Sequence, residues 1–345
     1  MQKINVKGIY YKDFTNNPQY LINIVKKVKS DFLYPNCIIN SRCIMIEYLK
    51  DQGINENLIA QLEKYREENG LDNNDRIIKP EYKYYGKDVL EQAIAALLAG
   101  KNILLTGAKA TGKNVLASNL SYLFKRPTYN VSFHVNTDFA SLIGADTFKN
   151  GEVTFRKGPI YEAAIKGGFA ILDEINMAKN EAISVLHASL DHRRIIDISG
   201  FDKISLDPNT RFIGTMNYGY VGTRELNEAL ASRFMIINVP NITKTNLDLL
   251  LKDNFPSLKE KYRHAMIDMF ISLQMKSENN EISTKAVDLR GLIGAIETMK
   301  IGLNPFDAIK MGLVNKSFDK FERDLVLDLI KTKIPEKIDE SVFDE

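Results

Sequence analysis

One short segment, residues 107–114, constrains the fold of this 345-residue chain more than any other. It reads GAKATGKN and follows the pattern G-x-x-x-x-G-K-[ST] at every fixed position except the last, where Asn114 stands. In that pattern the backbone N–H groups of the loop surround a phosphate, and the lysine, here Lys113, reaches the outer phosphates. A chance glycine turn does not explain the segment, because an apolar run at residues 103–106 precedes it and helical spacing follows it. Strand, loop and helix in this order predict the start of a βαβ unit.

Apolar runs and helical patterns alternate along the middle of the chain. Runs that are typical of buried parallel strands recur at residues 129–133, 169–172, 212–215 and 235–239. The segments between them, such as residues 160–166 and 181–190, have the apolar spacing of helices. This alternation predicts an α/β fold in which a parallel sheet is flanked by helices on both faces.

The chain divides by pattern into three parts. Residues 1–66 have stretches of helical spacing, and the polar segment at residues 67–76 has too few apolar residues to pack. We therefore expect a small N-terminal helical unit with its linker over residues 1–76, and the α/β core over residues 77–240. After Pro240 the pattern is helical throughout, which predicts a C-terminal all-α domain over residues 241–345. The N-terminal unit either recognises a partner or packs on the core.

Composition and charge limit the classes of function. The 46 Lys and Arg residues nearly balance the 44 Asp and Glu residues, and the formal charge of +2 is too small for the positive field that binds nucleic acid. Cys37 and Cys43 have the spacing of neither a redox pair nor a zinc site, and the four histidines show no metal-ligand spacing. The first residues lack the apolar core of a secretory signal, and no apolar run is long enough to span a bilayer. We expect a cytoplasmic protein with reduced thiols and no membrane partner.

Two adjacent acids follow the apolar run at residues 169–172, where the sequence reads FAILDE. In an open α/β sheet, ligands bind at this carboxyl end of the strands. Asp173 is then placed to hold Mg²⁺, directly or through water, and Glu174 to polarise an attacking water. Asn114 stands where a Ser or Thr hydroxyl would meet the metal, and its amide oxygen is a neutral ligand of adequate hardness. We expect a Mg²⁺ site at Asn114 and Asp173 that is either weakened by the amide or more dependent on the acid.

With these motifs, residues 77–315 resemble the AAA+ ATPases, and within them the MoxR branch and its dynein-related relatives, including the CbbQ and NorQ type activases. The resemblance begins before the loop, at YYGKDVLEQAIAALLAGKNILLTG, where Gly86 matches a family glycine that lines the adenine pocket. It implies a P-loop NTPase fold with the C-terminal all-α domain as a lid, and it implies ATP and Mg²⁺ as ligands. The nucleotide-binding residues are then Gly86, Gly107, Ala108, Lys109, Ala110, Thr111, Gly112, Lys113, Asn114 and Val115.

Three further motifs continue the resemblance after the paired acids. The letters TMN end at Asn217, which is similar to the family residue that positions the lytic water beside Glu174. The letters ASRF contain Arg233, which is similar to an arginine that reaches the γ-phosphate of the neighbouring subunit. The letters DLRG contain Arg290, which is similar to a lid arginine that contacts the γ-phosphate in the same subunit, with Lys285 as the competing candidate. The implied catalytic set is Lys113, Asp173, Glu174, Asn217, Arg233 and Arg290. An Asn in an ordinary turn and an exposed Arg that caps a strand are the alternatives for the first two motifs.

The resemblance also bears on assembly and partners. A β-hairpin predicted at residues 147–155, around Asn150 and Gly151, is similar to the helix-2 insertion of this clade, and residues 195–204 are similar to its second hairpin. In the family both hairpins point toward the central pore of a ring. The resemblance implies a homo-oligomer, a hexamer, that couples ATP hydrolysis to the remodelling or activation of a partner protein in a chaperone-like role. In MoxR-type proteins that partner often has a von Willebrand factor A domain.

Two other functions stay open at this point. One is a nucleotide-binding scaffold with weak or no hydrolysis, which Asn114 favours and Glu174 opposes, because a site without hydrolysis has no chemical need for that acid. The other is a nucleic-acid motor. The near-neutral charge, the absence of Trp and the lack of a basic and aromatic stripe argue against this second function.

Overall fold

The computed structural model describes residues 45–149, 151–197, 203–217, 226–336 and 341–344. The chain forms two compact units, Met1–Ile54 and Asn55–Glu345. In the first unit residues 45–51 are helical. The helical spacing near residues 21–28, Cys37 and Cys43 all lie outside the described residues.

The second unit begins with helix α1, Glu56–Asn69. Its N-cap Asn55 accepts a hydrogen bond from the backbone of Asn57, and its apolar spacing buries Ile59 and Leu62. The prediction of a linker from residue 67 was wrong for its first three residues, because they continue α1 to its end. The contacts place α1 in the same unit as the sheet, whereas the division of the chain at residues 76 and 240 stays a prediction.

Five parallel strands form the main sheet. They are β1 Ile103–Gly107, β2 Thr128–Ser132, β5 Phe169–Asp173, β8 Arg211–Asn217 and β9 Met235–Asn238. Their order is β2-β5-β8-β1-β9, and every pairing is parallel. The predicted α/β fold is therefore confirmed, and the register brings Gly107 beside Asn217 and Leu172 beside Gly214. The three central strands thus end together, at one edge of the sheet.

The central strands are apolar on both faces because helices cover both sides of the sheet. All five residues of β1 and the first four of β5 are buried. Helix α2 Lys87–Leu98 precedes β1, and the helices between the strands include α3 Lys113–Leu123 and α5 Pro159–Lys166. The N-cap of α2 is Gly86, whose carbonyl accepts the first helical hydrogen bond from the Leu90 N–H at 3.0 Å. Asp88 lies in the first turn, where its charge favours the helix.

Two antiparallel hairpins interrupt the α/β alternation. The first joins β3 Gly144–Lys149 to β4 Glu152–Lys157, follows the short helix α4 Phe139–Leu142, and confirms the hairpin predicted at residues 147–155. The second pairs β6 Ile195–Ile196 with β7 Ile204–Ser205. Asn150 and residues 198–202, which the sequence placed in these hairpins, lie outside the described residues. Near the tip of the first hairpin, Phe148 and Val153 face each other across the strands, 76% and 69% exposed.

Short helices precede and follow the second hairpin along the chain. The helical pattern at residues 181–190 forms two of them, α6 Asn180–Ser184 and α7 His187–Leu190. Another short helix, α8 Glu228–Ala231, precedes β9.

After Pro240 the described chain is helical, as predicted, and forms what we call the C-terminal helical region. Its helices are α9 Lys244–Asn254, α10 Glu260–Glu278, α11 Leu289–Lys300, α12 Pro305–Gly312 and α13 Lys320–Lys333. They share a hydrophobic core of their own, which includes Leu251, Phe270 and Ile296. Helices α11 and α12 touch backbone to backbone, because a Cβ on Gly291 would collide with the carbonyl of Gly312. In the part of the chain that the structure describes, no helix is both long and apolar enough to cross a membrane.

Candidate functional site

A cavity of about 900 Å³ lies at the carboxyl ends of β1, β5 and β8. The loop after β1 forms its floor, the acids after β5 and the polar end of β8 form one wall, and α11 of the C-terminal helical region faces them. Residues 82–89, just before and within α2, complete the lining. The cavity therefore occupies the edge of the sheet where an open α/β fold binds its ligands.

The glycine loop takes a conformation that few residues other than glycine adopt. Gly112 has φ 87°, and Ala110 also has a positive φ, 63°. At Gly107 a side chain is excluded, because its Cβ would collide with the backbone carbonyl of Val239 just after β9. Of the residues that the sequence assigned to nucleotide binding, residues 109–115 and Gly86 line the cavity, whereas Gly107 and Ala108 do not.

Lys113 is held inside the loop. Its ammonium group donates hydrogen bonds to the carbonyl oxygens of Ala108 at 2.6 Å and Gly107 at 3.1 Å, and to the hydroxyl of Thr111 at 3.3 Å. The side chain is buried, and this burial lowers the pKa of Lys113 to about 8, although Asp173 and Glu174 oppose the shift. An anion in the loop would stabilise the charged form, so the site is poised to bind phosphate.

The two acids are fixed by neighbouring polar groups. The carboxylate of Asp173 accepts a hydrogen bond from the Asn114 amide at 2.9 Å and another from the Thr215 hydroxyl at 2.6 Å. The Asn217 amide donates to the Glu174 carboxylate at 3.0 Å. Glu174 has φ 54°, an unfavourable backbone conformation for a residue other than glycine. The structure thus brings Asn114, Asp173, Glu174 and Asn217 together as one hydrogen-bonded group.

Two polar side chains that bond to residues of this wall were missed by the sequence reasoning. Thr215 bonds both to Asp173 and to the backbone N–H of Glu174, and Asn176 donates to the Asn217 carbonyl at 3.3 Å. Strand alternation offered one signal, since residues two apart on β8 share a face and Asn217 had already been singled out. For Asn176 the sequence carried no comparable signal.

Arg290 lies on the helical side of the cavity. It stands in the first turn of α11, where Asp288 is the N-cap and accepts a hydrogen bond from the Arg290 backbone at 3.1 Å. Asp288 also accepts from the Lys316 ammonium at 2.7 Å. Arg290 lines the cavity and its charge contributes to the lowered pKa of Lys113, whereas Lys285 does not belong to the lining. The arrangement brings Arg290 and not Lys285 to the site.

Residues 82–85 connect the helix of the glycine loop to the C-terminal helical region. The buried amide of Asn119, on α3, donates to the Tyr82 carbonyl at 2.9 Å and accepts from the Tyr84 backbone at 3.4 Å. On the other side Asn246 donates to the Tyr85 carbonyl at 3.1 Å, and the Tyr82 hydroxyl donates to Glu297 at 3.1 Å.

The Tyr84 ring is placed by this connection. It lies beside Gly86 and Gly112, and burial raises the pKa of Tyr84 to about 12. This connecting segment was not predicted from the sequence.

Arg233 lies away from the cavity of its own chain. Its guanidinium forms an ion pair with Asp191 at 3.8 Å and donates to the carbonyl oxygens of His187, at 3.3 Å, and Ala229. The side chain is 24% exposed, and Asp191 is held in turn by Arg193 at 2.7 Å. The structure therefore does not bring Arg233 to the other predicted site residues within one chain.

The residues at the acid wall fit a Mg²⁺ ion. A carboxylate accepts hydrogen bonds but has none to donate, so the Asn114 nitrogen is the atom that faces Asp173, and its amide oxygen is the atom left for a metal. Carboxylate and amide oxygens are hard ligands of the kind that Mg²⁺ takes, together with water and substrate phosphates. Within the described ranges, no cluster of three or more His, Cys, Asp or Glu side chains is arranged to hold a metal. A Mg²⁺ ion at this wall would thus take its ligands from Asp173, Asn114 and bound phosphate.

The strand order and the loop that holds a buried lysine define a protein of the P-loop NTPase fold. The family description "AAA domain (dynein-related subfamily)" matches residues 102–234. Uncharacterized protein YojN of Bacillus subtilis strain 168 is 35% identical to the chain over 257 residues. The chain belongs to the AAA domain proteins of the dynein-related subfamily.

The similarity to relatives extends well beyond the glycine loop. The match to YojN covers 73% of this chain and 84% of YojN. An uncharacterized protein of Staphylococcus epidermidis is 31% identical over 262 residues, which are 74% of this chain and 99% of that protein. A solved structure from Cytophaga hutchinsonii, provisionally described as an ATPase, covers 86% of this chain at 14% identity with a TM-score of 0.40.

Proposed function

We propose that the protein is an ATP-hydrolysing, ring-forming AAA+ ATPase of the MoxR type that remodels or activates a partner protein. The observation that carries the ATPase is the group of hydrogen bonds that fixes Asp173, Glu174 and Asn217 opposite the buried Lys113. A site that only bound nucleotide would need the lysine and the loop. It would not need a second acid held by an amide at 3.0 Å.

Each residue of the wall has a part in the proposed chemistry. Lys113 neutralises charge on the outer phosphates, and Arg290 meets them from α11. Glu174 accepts a proton from water as the water oxygen bonds to the γ-phosphorus and the bond to the bridging oxygen of ADP breaks. Asn217 holds the Glu174 carboxylate and orients the water. When bound, Mg²⁺ neutralises phosphate charge and aligns the outer phosphates.

A ring accounts for the position of Arg233. A cation that stabilises the transition state can contribute about 10³–10⁵ in rate, but within one chain Arg233 cannot serve the cavity while Asp191, His187 and Ala229 hold it elsewhere. We infer that it completes the site of a neighbouring copy, and we carry over from MoxR-type proteins a hexamer as the ring size.

The mechanical output is proposed by analogy with the same family. The hydrogen bonds of residues 82–85 connect α3 to α9 and α11. Nucleotide in the cavity would therefore change the position of the C-terminal helical region relative to the sheet. The first hairpin, with Phe148 and Val153 exposed, offers apolar side chains to a protein partner. A partner with a von Willebrand factor A domain is the kind that this proposal favours.

Mg²⁺-dependent ATP hydrolysis over a range of protein concentrations tests the ATPase, with Glu174→Gln as the inactive variant and Lys64→Ala as a control on the exposed face of α1. We expect specific activity to rise with concentration, to vanish in Glu174→Gln and to be unchanged in Lys64→Ala. Activity that is independent of concentration would contradict the ring, and activity equal in Glu174→Gln and wild type would contradict the role of Glu174.

A nucleotide-regulated scaffold is the second candidate. The observation that favours it is Asn114, which supplies Asp173 with an amide donor where a hydroxyl would otherwise face the metal. In that case wild type and Glu174→Gln would bind ATP equally and hydrolyse it equally poorly. Assembly measured by light scattering would then depend on nucleotide without any turnover.

A further inference from the structure

Thr215 stands between the two acids of the cavity wall. It lies on β8 beside Leu105 of β1, and it is 1% exposed. Its hydroxyl is 2.6 Å from a carboxylate oxygen of Asp173 and 3.1 Å from the backbone nitrogen of Glu174. One buried hydroxyl therefore contacts both acid residues.

The direction of the two hydrogen bonds follows from elementary chemistry. An ionised carboxylate has no proton to give, so the single hydroxyl proton of Thr215 points to Asp173. A lone pair of the same oxygen then receives the N–H of Glu174. Neither bond can reverse, and the hydroxyl is locked in one orientation.

The positions of the two acids are thereby coupled. Asn114 bonds to one oxygen of Asp173 and Thr215 to the other, so the plane of that carboxylate is set from both sides. Glu174 has a positive φ of 54°, which persists only where its surroundings over-determine it, and its N–H bond to Thr215 is one such restraint. The pair of bonds holds the metal-facing acid and the water-facing acid at a fixed separation.

We propose that Thr215 is a positioning residue, which aims the Asp173 carboxylate at Mg²⁺ and holds the backbone of Glu174 so that its carboxylate meets the attacking water. This inference rests on the proposed function of the same site. It assigns to Thr215 no contact with the nucleotide.

Thr210 is a matched control for a purely structural role. It immediately precedes β8, is fully buried, and its hydroxyl donates to the carbonyl oxygens of Ala163 and Ala164 at 3.1 and 3.2 Å. It does not line the cavity. Thr→Val at either position removes a buried hydroxyl with two partners, but only at position 215 are those partners the acids.

The first measurement is the affinity for a fluorescent ADP analogue with and without Mg²⁺, because it needs no turnover. For wild type, Thr215→Ser and Thr210→Val we expect Mg²⁺ to tighten binding to the same extent within about threefold. For Thr215→Val we expect this tightening to fall by about tenfold or more while the metal-free affinity stays the same, since groups that orient metal ligands typically contribute 10–100-fold. Equal tightening in both valine variants would overturn the proposal.

The second measurement is steady-state ATP hydrolysis by the same four proteins. Thr215→Val should lose about 10–100-fold in kcat with KM changed by less than about threefold, and Thr215→Ser should recover most of kcat. A parallel loss of kcat in Thr210→Val would show that stability, and not positioning, explains the effect. If Thr215→Val does not fold, Thr215→Cys, which keeps the side-chain size but is only a weak donor, replaces it with the same expectations.

The two proposals fail separately. If wild type does not hydrolyse ATP but the metal-dependent binding of Thr215→Val is still impaired, the proposed function is contradicted. The role of Thr215 in orienting the Asp173 carboxylate toward Mg²⁺ is then supported. Wild type that hydrolyses ATP, with Thr215→Val matching Thr210→Val in both measurements, contradicts the positioning role and leaves the ATPase in place.

Discussion

Asn114 is the residue at which the loop departs from its motif, and its contact with Asp173 at 2.9 Å shows what the departure does. The amide supplies a donor to the acid, so metal binding requires this hydrogen bond to be rearranged or shared. We expect Asn114→Thr to lower the Mg²⁺ concentration for half-maximal nucleotide tightening by about threefold or more, because a hydroxyl is a smaller group with an oxygen always available. Titration of Mg²⁺ against the fluorescent ADP analogue measures this.

Asn114→Ala is the matched variant for that titration. It removes both the donor to Asp173 and the amide oxygen, so it should raise the half-maximal Mg²⁺ concentration above that of wild type. If threonine and alanine behave alike, the side chain at position 114 does not bind the metal.

Lys113 gives the site a dependence on pH. Its pKa of about 8, lowered by burial, means that the neutral form grows as pH rises above 8 in the nucleotide-free protein. Phosphate binds the charged form, so we expect ADP affinity without Mg²⁺ to fall by about tenfold between pH 7 and pH 9. Lys113→Met should bind more weakly and show no such fall. A flat profile in wild type would mean that the lysine stays charged throughout.

The lowered pKa of Lys113 also makes the stability of the fold depend on pH, and stability changes with pH in the opposite direction to ADP affinity. A lysine whose folded pKa lies below its unfolded value of 10.5 binds fewer protons in the folded state between pH 8 and 10.5. Stability therefore rises with pH across this window as far as Lys113 is concerned. Below pH 8 the buried charge opposes folding fully, so Lys113→Met should raise the unfolding temperature most at neutral pH.

At the scale of elements, residues 82–85 depend on one buried side chain of α3. The Asn119 amide is 1% exposed and bonds to Tyr82, Tyr84 and, at 2.7 Å, the Val115 carbonyl. We expect Asn119→Ala to lower the free energy of unfolding by about 1–3 kcal/mol, since it removes three hydrogen bonds of a buried side chain. It should also weaken nucleotide binding, because Tyr84 loses its position beside Gly112.

Urea unfolding and ADP binding of Asn119→Ala are to be compared with Lys64→Ala. Lys64 makes an exposed ion pair with Glu68 at 3.9 Å, so its removal should change stability by less than about 0.5 kcal/mol. An Asn119→Ala protein that is destabilised yet binds ADP like wild type would separate the connection from nucleotide recognition.

Elements with a strong local signal were predictable from the sequence. The central strands were placed to within about two residues because burial on both faces makes them wholly apolar, as at residues 169–172. The sequence predicted one continuous helix at residues 181–190, whereas the structure has two helices there, α6 and α7. The break was missed because no proline or glycine marks it. Local pattern sets strand and helix identity, but it does not show where a helix is interrupted.

The residues of the site likewise divide into those that the sequence predicted and those that it did not. The glycine loop and the acids Asp173 and Glu174 are contiguous motifs, and the sequence brought them to one edge of the sheet. Asn119 escaped notice because its partners Tyr82 and Tyr84 lie 37 and 35 residues away in the chain, and Thr215 because its partner Asp173 is 42 residues away. Such contacts depend on tertiary packing and leave no periodic trace in the sequence.

At the scale of the whole molecule, the position of Arg233 predicts complementation between two inactive proteins. Glu174→Gln keeps its Arg233 but has an inactive cavity, whereas Arg233→Ala keeps its cavity. In a 1:1 mixture of random rings, about one site in four would combine an intact cavity with an intact neighbouring arginine. We expect ATP hydrolysis at up to about a quarter of the wild-type rate, where each variant alone has almost none.

A mixture of Glu174→Gln with Lys113→Met is the control. Both substitutions lie in the cavity, so every subunit in the mixed ring has a defective cavity and no site can be restored by its neighbour. Size-exclusion chromatography of differently tagged variants establishes that mixed rings form. Mixed rings without recovered activity would show that Arg233 serves no neighbour.

At Gly107, the chain segment that leaves β9 passes directly beside the glycine loop. The chain leaves β9 at Val239, whose N–H donates to the Thr106 carbonyl at 2.7 Å and whose own carbonyl lies where a side chain on Gly107 would be. The backbone that leads to α9 is therefore in direct contact with the first residue of the glycine loop. A displacement of either backbone would press on the other, which offers a main-chain path between the loop and the C-terminal helical region. Homologous chains could then vary every side chain along this path and still keep the mechanical link, provided that glycine stays at position 107.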